Sequence, residues 1–240
     1  MFFSNLDRQI AGGKNRTPLQ TMICQSVAVA IVLGASSLLV FYSATLSLLA
    51  FGLATGVIGH ALIRSYPHSA FGLANAATLT RTGMVAFLFG AIFHATTSAW
   101  LVFSIAVIAF TLDGVDGWIA RREGLTSDFG ARFDMEVDAA LAAVLAIWLM
   151  VSGTTGVEIL ILGFARYLFV AAGLIRPWLA GLLPYSFRRK VICVVQIAAL
   201  IALLCPATPA AALPWISISA ALLLIWSFVV DIRWLARHPA

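Results

Sequence analysis

A chain of 240 residues that is 62% hydrophobic and only 10% charged lies far outside the composition of soluble globular domains. Its net charge of +5 is carried by few groups, and their placement assigns it to an anionic membrane face, which leaves no case for nucleic-acid binding. The three cysteines, Cys24, Cys193 and Cys205, lack metal-ligand spacing and read as small apolar helix residues, not as a zinc site or a disulfide framework.

About twenty largely polar and basic residues open the chain, with no small-residue cleavage site after a short apolar stretch, so no cleavable signal is expected. A short interfacial helix is expected around Phe2–Ile10. Apolar runs then predict eight membrane-crossing helices, at about 22–43, 46–63, 78–95, 97–119, 131–151, 156–176, 190–205 and 212–232. The first two contain few polar side chains, and His60 near the end of the second reads as a packing or snorkelling residue. No internal repeat or low-complexity linker interrupts the series.

The cations orient these helices. Arg8, Lys14 and Arg16 precede the first span, Arg64 and Arg81 flank the loop between the second and third, and Arg121, Arg122 and Arg132 lie between the fourth and fifth. Arg176, Arg188, Arg189 and Lys190 follow on the same side, then Arg233 and Arg237, while the opposite loops contain no Lys or Arg. By the positive-inside rule both termini face the cytoplasm. Most tryptophans stand near span ends, as in an interfacial belt.

Before the third span stands N-A-A-T-L-T-R, with Asn75, Thr78 and Arg81 at i, i+3 and i+6. Capping of a helix start explains Asn and Thr there; a ligand-contacting face explains all three. Seven of the ten acidic residues fall between Asp113 and Asp138, where the fourth span gives way to the fifth. Asp113 and Asp116 share one helical face, which Gly117 and Ala120 continue without bulk. Gly130, Asp134 and Asp138 share another. Two antiparallel helices joined by a turn near Glu123–Ser127 bring the four carboxylates together. Uncompensated, these would repel one another and take up protons; one or two divalent cations relieve this, and an all-oxygen site suits Mg²⁺ or Mn²⁺. The small residues leave room for a phosphorylated ligand to approach the backbone.

These residues carry a resemblance. The pattern D-x2-D-G-x2-A-R-x8-G-x3-D-x3-D is similar to the signature of the CDP-alcohol phosphotransferases, and Asp113, Asp116, Gly117, Ala120, Arg121, Gly130, Asp134 and Asp138 match every fixed position. The resemblance implies an all-α integral membrane fold with a six-helix catalytic core. Residues 71–240 would form that core, and residues 1–70 a cytoplasmic segment followed by two additional transmembrane helices. It implies that Asp113, Asp116, Asp134 and Asp138 hold two metal ions and that Asp138 is the general base. Gly117 and Ala120 would make space for the cytidine, with Arg121 and Gly130 beside the nucleotide. Family members commonly carry N-x-x-T-x-x-R next to the nucleotide site, which implies the same role for Asn75, Thr78 and Arg81; Ala74 stands where a Pro is usual.

A guanidinium in mid-span marks Arg166 as a functional residue by default. Its expected partners are an anionic substrate or Asp134 and Asp138, with a structural ion pair as the alternative. Arg166 and Arg176 stand in places similar to arginines of phosphatidylglycerophosphate synthases, and Arg188, Arg189 and Lys190 look like the basic acceptor-side region of members with phosphorylated acceptors. The resemblance therefore implies transfer of a phosphatidyl group from CDP-diacylglycerol to a small, phosphorylated alcohol, such as glycerol 3-phosphate or an inositol phosphate, by a homodimer, and the compact chain with short loops suits a bacterial inner membrane. Two other readings are open: transfer of a head group from a CDP-alcohol to diacylglycerol, and a cation carrier or channel. Against the latter, only Glu158 continues the acidic groups toward the opposite face.

Overall fold

The computed structural model describes residues 17–123, 125–181 and 186–238, and of 115–123 and 180 the backbone alone. The interfacial helix expected around Phe2–Ile10 lies outside the described residues. Among the described residues eight α-helices follow in chain order: α1 (Pro18–Phe41), α2 (Thr45–Ser65), α3 (Leu73–Ala91), α4 (Ala99–Glu123), α5 (Asp128–Val151), α6 (Leu160–Ile175), α7 (Phe187–Leu204) and α8 (Leu213–Arg237). No strand occurs among the described residues.

Local chemistry sets the starts. Thr17 accepts a hydrogen bond from the Gln20 amide (3.3 Å) while the Gln20 side chain accepts from the Thr17 amide (3.1 Å), with Pro18 at the first helical position of α1. Ser127 caps α5 by accepting from the Gly130 amide at 3.0 Å. Between them, α3 begins after Gly72, whose φ of 78° is a conformation that a side chain disfavours.

Four segments are long and apolar enough to cross a bilayer: Pro18–Phe41, Thr45–Ser65, Val157–Ile175 and Ala210–Arg237. Among the described residues, α4 adds a shorter apolar stretch, Ala99–Gly114. Large apolar side chains such as Ile31, Leu53 and Leu174 point outward, where lipid is their solvent. Several apolar helices make this an integral membrane protein. The more polar α3 and α5 lie inside: α3 packs against α1, α2, α4 and α5, and α5 also against α6 and α7.

Helix α3 departs most from expectation. It begins five residues before the expected start, at Leu73 instead of 78, because its hydrogen-bond ladder continues through polar side chains that an apolarity criterion treats as the end of a span. Arg81 is consequently not a loop cation. It lies two turns inside α3 and is fully buried.

The first two helices belong to the same packed body as the rest. A Cβ on Gly90 of α3 would stand 2.1 Å from Ser47 Oγ of α2, and one on Gly83 would stand 2.5 Å from Val29 Cγ1 of α1. Only glycine permits helices this close. Gln25 of α1 donates to the Ala76 carbonyl at 2.6 Å, and Phe51 of α2 is buried.

Candidate active site

Two helices deliver the acidic cluster. Asp113 comes from α4, Asp134 and Asp138 from successive turns of α5, and one carboxylate oxygen from each falls within 4.8 Å of the others. The α4–α5 connection spans 124–127, as the spacing predicts, so the antiparallel pair places these acids together. Asp116, Gly117, Ala120 and Arg121 continue α4 along its backbone, but their side chains lie outside the described residues.

Arg81 forms the floor of the cluster. Its Nη1 donates to Asp113 Oδ1 at 2.9 Å and to Asp134 Oδ1 at 2.6 Å, and its Nη2 donates to Asp138 Oδ1. The guanidinium is 1% exposed, whereas the side chains of Asp113, Asp134 and Asp138 are 21%, 38% and 15% exposed. A buried cation thus lies beneath carboxylates that open toward the surface. One guanidinium against these three carboxylates leaves two negative charges at the mouth, and the donors are all hard oxygens. That donor set fits Mg²⁺ or Mn²⁺.

The N-x-x-T-x-x-R face splits in its roles. Neither Asn75 nor Thr78 caps α3, because the helix has already begun at Leu73. Asn75 Nδ2 donates to the Phe71 carbonyl (2.6 Å) and to the Tyr66 hydroxyl (3.2 Å), pinning the loop that precedes α3. A Cβ on Gly130 would stand 3.2 Å from Asn75 Oδ1 and 3.3 Å from Ser127 Oγ, so glycine lets the start of α5 sit against Asn75. Thr78 Oγ1 donates to the Ala74 carbonyl at 3.1 Å. Tyr66 packs edge-on to Phe129, and a His68 ring nitrogen lies 3.1 Å from the Thr126 carbonyl oxygen. Together, Tyr66 and His68 clasp the loop before α3 to the α4–α5 turn. Sequence reasoning had no signal for either residue, because neither stands in a motif or mid-span.

The basic residues of the later helices divide in the same way. Arg166 does not meet Asp134 or Asp138; it pairs with Glu136, on a different face of α5, and its Nη1 lies 2.9 Å from Met135 Sδ. Both members of this pair are substantially exposed. Arg188 Nη1 donates to the carbonyl (2.9 Å) and hydroxyl (2.6 Å) of Ser227, its Nη2 pairs with Asp231, and its guanidinium lies 5.5 Å from the Trp226 ring centre. Arg189 is 3.8 Å from the same Asp231 carboxylate, while Arg176 and Lys190 are exposed. Asp231, a lone acid in the last span, was the available signal for a buried partner.

Arg188 therefore ties α7 to α8. Arg188→Ala is expected to lower stability by about 1–3 kcal/mol, because it leaves the buried Asp231 carboxylate with only the longer Arg189 contact. Thermal unfolding in detergent measures this. A normal unfolding midpoint with a raised acceptor KM would return Arg188 to the substrate.

Residues 71–230 match the model of the CDP-alcohol phosphatidyltransferase family. No curated protein and no solved structure matches the chain significantly. The match begins just before α3 and leaves α1 and α2 outside it.

Proposed function

Because the chain belongs to the CDP-alcohol phosphatidyltransferase family, we propose that it transfers the phosphatidyl group of CDP-diacylglycerol to a small hydroxylated acceptor and releases CMP. The observation that carries this reading is the convergence of Asp113, Asp134 and Asp138 above buried Arg81. In this reading α3–α8 form the six-helix catalytic core and α1 and α2 are additions to it. Both termini and the site face the cytoplasm, which agrees with the distribution of Lys and Arg.

The acceptor oxygen attacks the phosphatidyl phosphorus, the bond from that phosphorus to the bridging oxygen breaks, and CMP departs with the electron pair. Asp138 accepts the acceptor's hydroxyl proton. Asp113, Asp116, Asp134 and Asp138 would hold two Mg²⁺ or Mn²⁺ ions, which supply neutralisation of the pyrophosphate and of the charge that develops on the leaving phosphate. Arg81 holds Asp113, Asp134 and Asp138 in one orientation and offsets part of their repulsion. Gly130 and Asn75 fix the start of α5 against α3, beside the place where Gly117, Ala120, Arg121 and Thr78 would admit the nucleotide.

Arg166, Arg176, Arg189 and Lys190 favour a phosphorylated acceptor, because a neutral or cationic alcohol gains little from them. CMP release by the purified protein, with Mg²⁺ or Mn²⁺ and a panel of acceptors, tests the reaction and names the acceptor. Transfer from a CDP-linked head group to diacylglycerol would reverse the donor. Arg166→Ala is expected to raise the acceptor KM or lower kcat while the affinity for CDP is kept. Unchanged acceptor kinetics would remove Arg166 from the acceptor site.

A further inference from the structure

An apolar cavity of about 190 Å³ lies between α2, α3 and α5. Ala50 and Ala54 of α2 form one wall, Thr82 and Phe89 of α3 the second, and Val137 and Val144 of α5 the third. Its upper end is level with the reacting groups, since Thr82 follows Arg81 and Val137 precedes Asp138 in the chain. Seven residues separate Thr82 from Phe89, as they do Val137 from Val144, so the cavity runs about 10 Å along the helices, away from the cytoplasmic loops. Thr82 supplies its polar atom, and that hydroxyl already donates to the Thr78 carbonyl at 2.9 Å. A water there would find no set of partners, and a half-open pocket with this lining favours an apolar occupant.

We propose that this cavity receives one acyl chain of the lipid substrate and that the N-terminal helices serve to wall it. The proposal rests on the phosphatidyl-transfer reading, because a phosphatidyl group reacting at the carboxylates must hang its chains from that level into the bilayer. The cavity begins at that level and runs in that direction. Its first wall comes from a helix outside the family match, so the site belongs to this chain's own architecture. Gly83 and Gly90 hold α1 and α2 hard against α3, which keeps the wall in place.

A CDP-diacylglycerol with a photoreactive group partway down one chain is expected to label α2 near Ala54, and unlabelled CDP-diacylglycerol, but not bulk phosphatidylcholine, to compete. Ala54→Phe is expected to lower kcat/KM for the dipalmitoyl donor relative to a dibutanoyl donor, whose chains are too short to fill the cavity, by about tenfold. Ala140→Leu, on the α5 wall, does the same and covers the case in which the bulkier ring prevents folding. Leu53→Phe, on the bilayer side of α2, leaves the ratio at its wild-type value. A wild-type ratio in both cavity variants, or labelling displaced equally by bulk lipid, overturns the proposal. No CMP release from either donor by the wild type would instead strike at the reaction itself, and the labelling result would still be read.

Discussion

Arg81→Gln is expected to cost the metal-free protein about 3–5 kcal/mol, the loss that follows when a buried ion pair keeps its charges on one side only. The side chain is fully buried and reaches Asp113, Asp134 and Asp138 at once, so its removal leaves three converging carboxylates without that counter-charge. The same physics gives the variant an unusual response to cations. Ligand that binds only the folded state stabilises it according to concentration over Kd, and a cluster stripped of its guanidinium offers a divalent ion a stronger field. Millimolar Mg²⁺ or Mn²⁺ should therefore raise the unfolding midpoint of Arg81→Gln by more than that of the wild type. Calorimetric or spectroscopic unfolding, with and without the ion, checks both parts. Equal midpoints for variant and wild type without metal would mean that Arg81 does not anchor the cluster. A deficit that no divalent ion relieves would argue against the carboxylates as the metal site.

What was legible in the sequence differs between groups that act through spacing and groups that act through helix rotation. The carboxylates were legible because Asp113, Asp134 and Asp138 stand at helical spacings in an apolar background, and a short turn between two helices leaves few ways to arrange them. The helices were legible in number as apolar runs, although among the described residues only Pro18–Phe41, Thr45–Ser65, Val157–Ile175 and Ala210–Arg237 are long and apolar enough to cross a bilayer by themselves. Partners of the arginines were not. Arg81 meets acids 32 to 57 positions away, Arg166 meets Glu136 at a distance of 30, and Arg188 meets Asp231 at 43. Glu136 stands only two residues from both Asp134 and Asp138, yet it lies on another face of α5. Which carboxylate Arg166 meets is therefore decided by how α6 is rotated against α5, and no spacing within either helix records that. The depth of Arg81 in its helix was hidden because the polar residues around Asn75 precede the apolar run expected from about 78, whereas the helix already begins at Leu73. The union of α1 and α2 with the core was likewise unreadable, because it depends on Gly83 and Gly90 facing Val29 and Ser47 across helix interfaces.

Asp138→Asn is expected to lower kcat for CMP release by about 10²–10⁴-fold, the range that a positioned general base contributes. The substitution keeps the volume of the side chain and an oxygen facing Arg81, so folding should change far less than rate. Asp138 is the better candidate for the base on position. Its side chain is 15% exposed against 38% for Asp134, which places it deeper, beside the level where the lipid phosphate would meet the acceptor. An acid whose main task is to hold metal should behave differently. Asp134→Asn, one turn nearer the start of α5, is expected to raise the concentration of Mg²⁺ or Mn²⁺ needed for half-maximal rate, with activity recovered in part at high metal. Asp138→Asn should not recover, because added cation does not replace a proton acceptor. Metal titrations of the two variants, with unfolding midpoints as the control for folding, separate the roles. Full recovery of Asp138→Asn at high metal would make Asp138 a ligand only and move the proton to another acceptor.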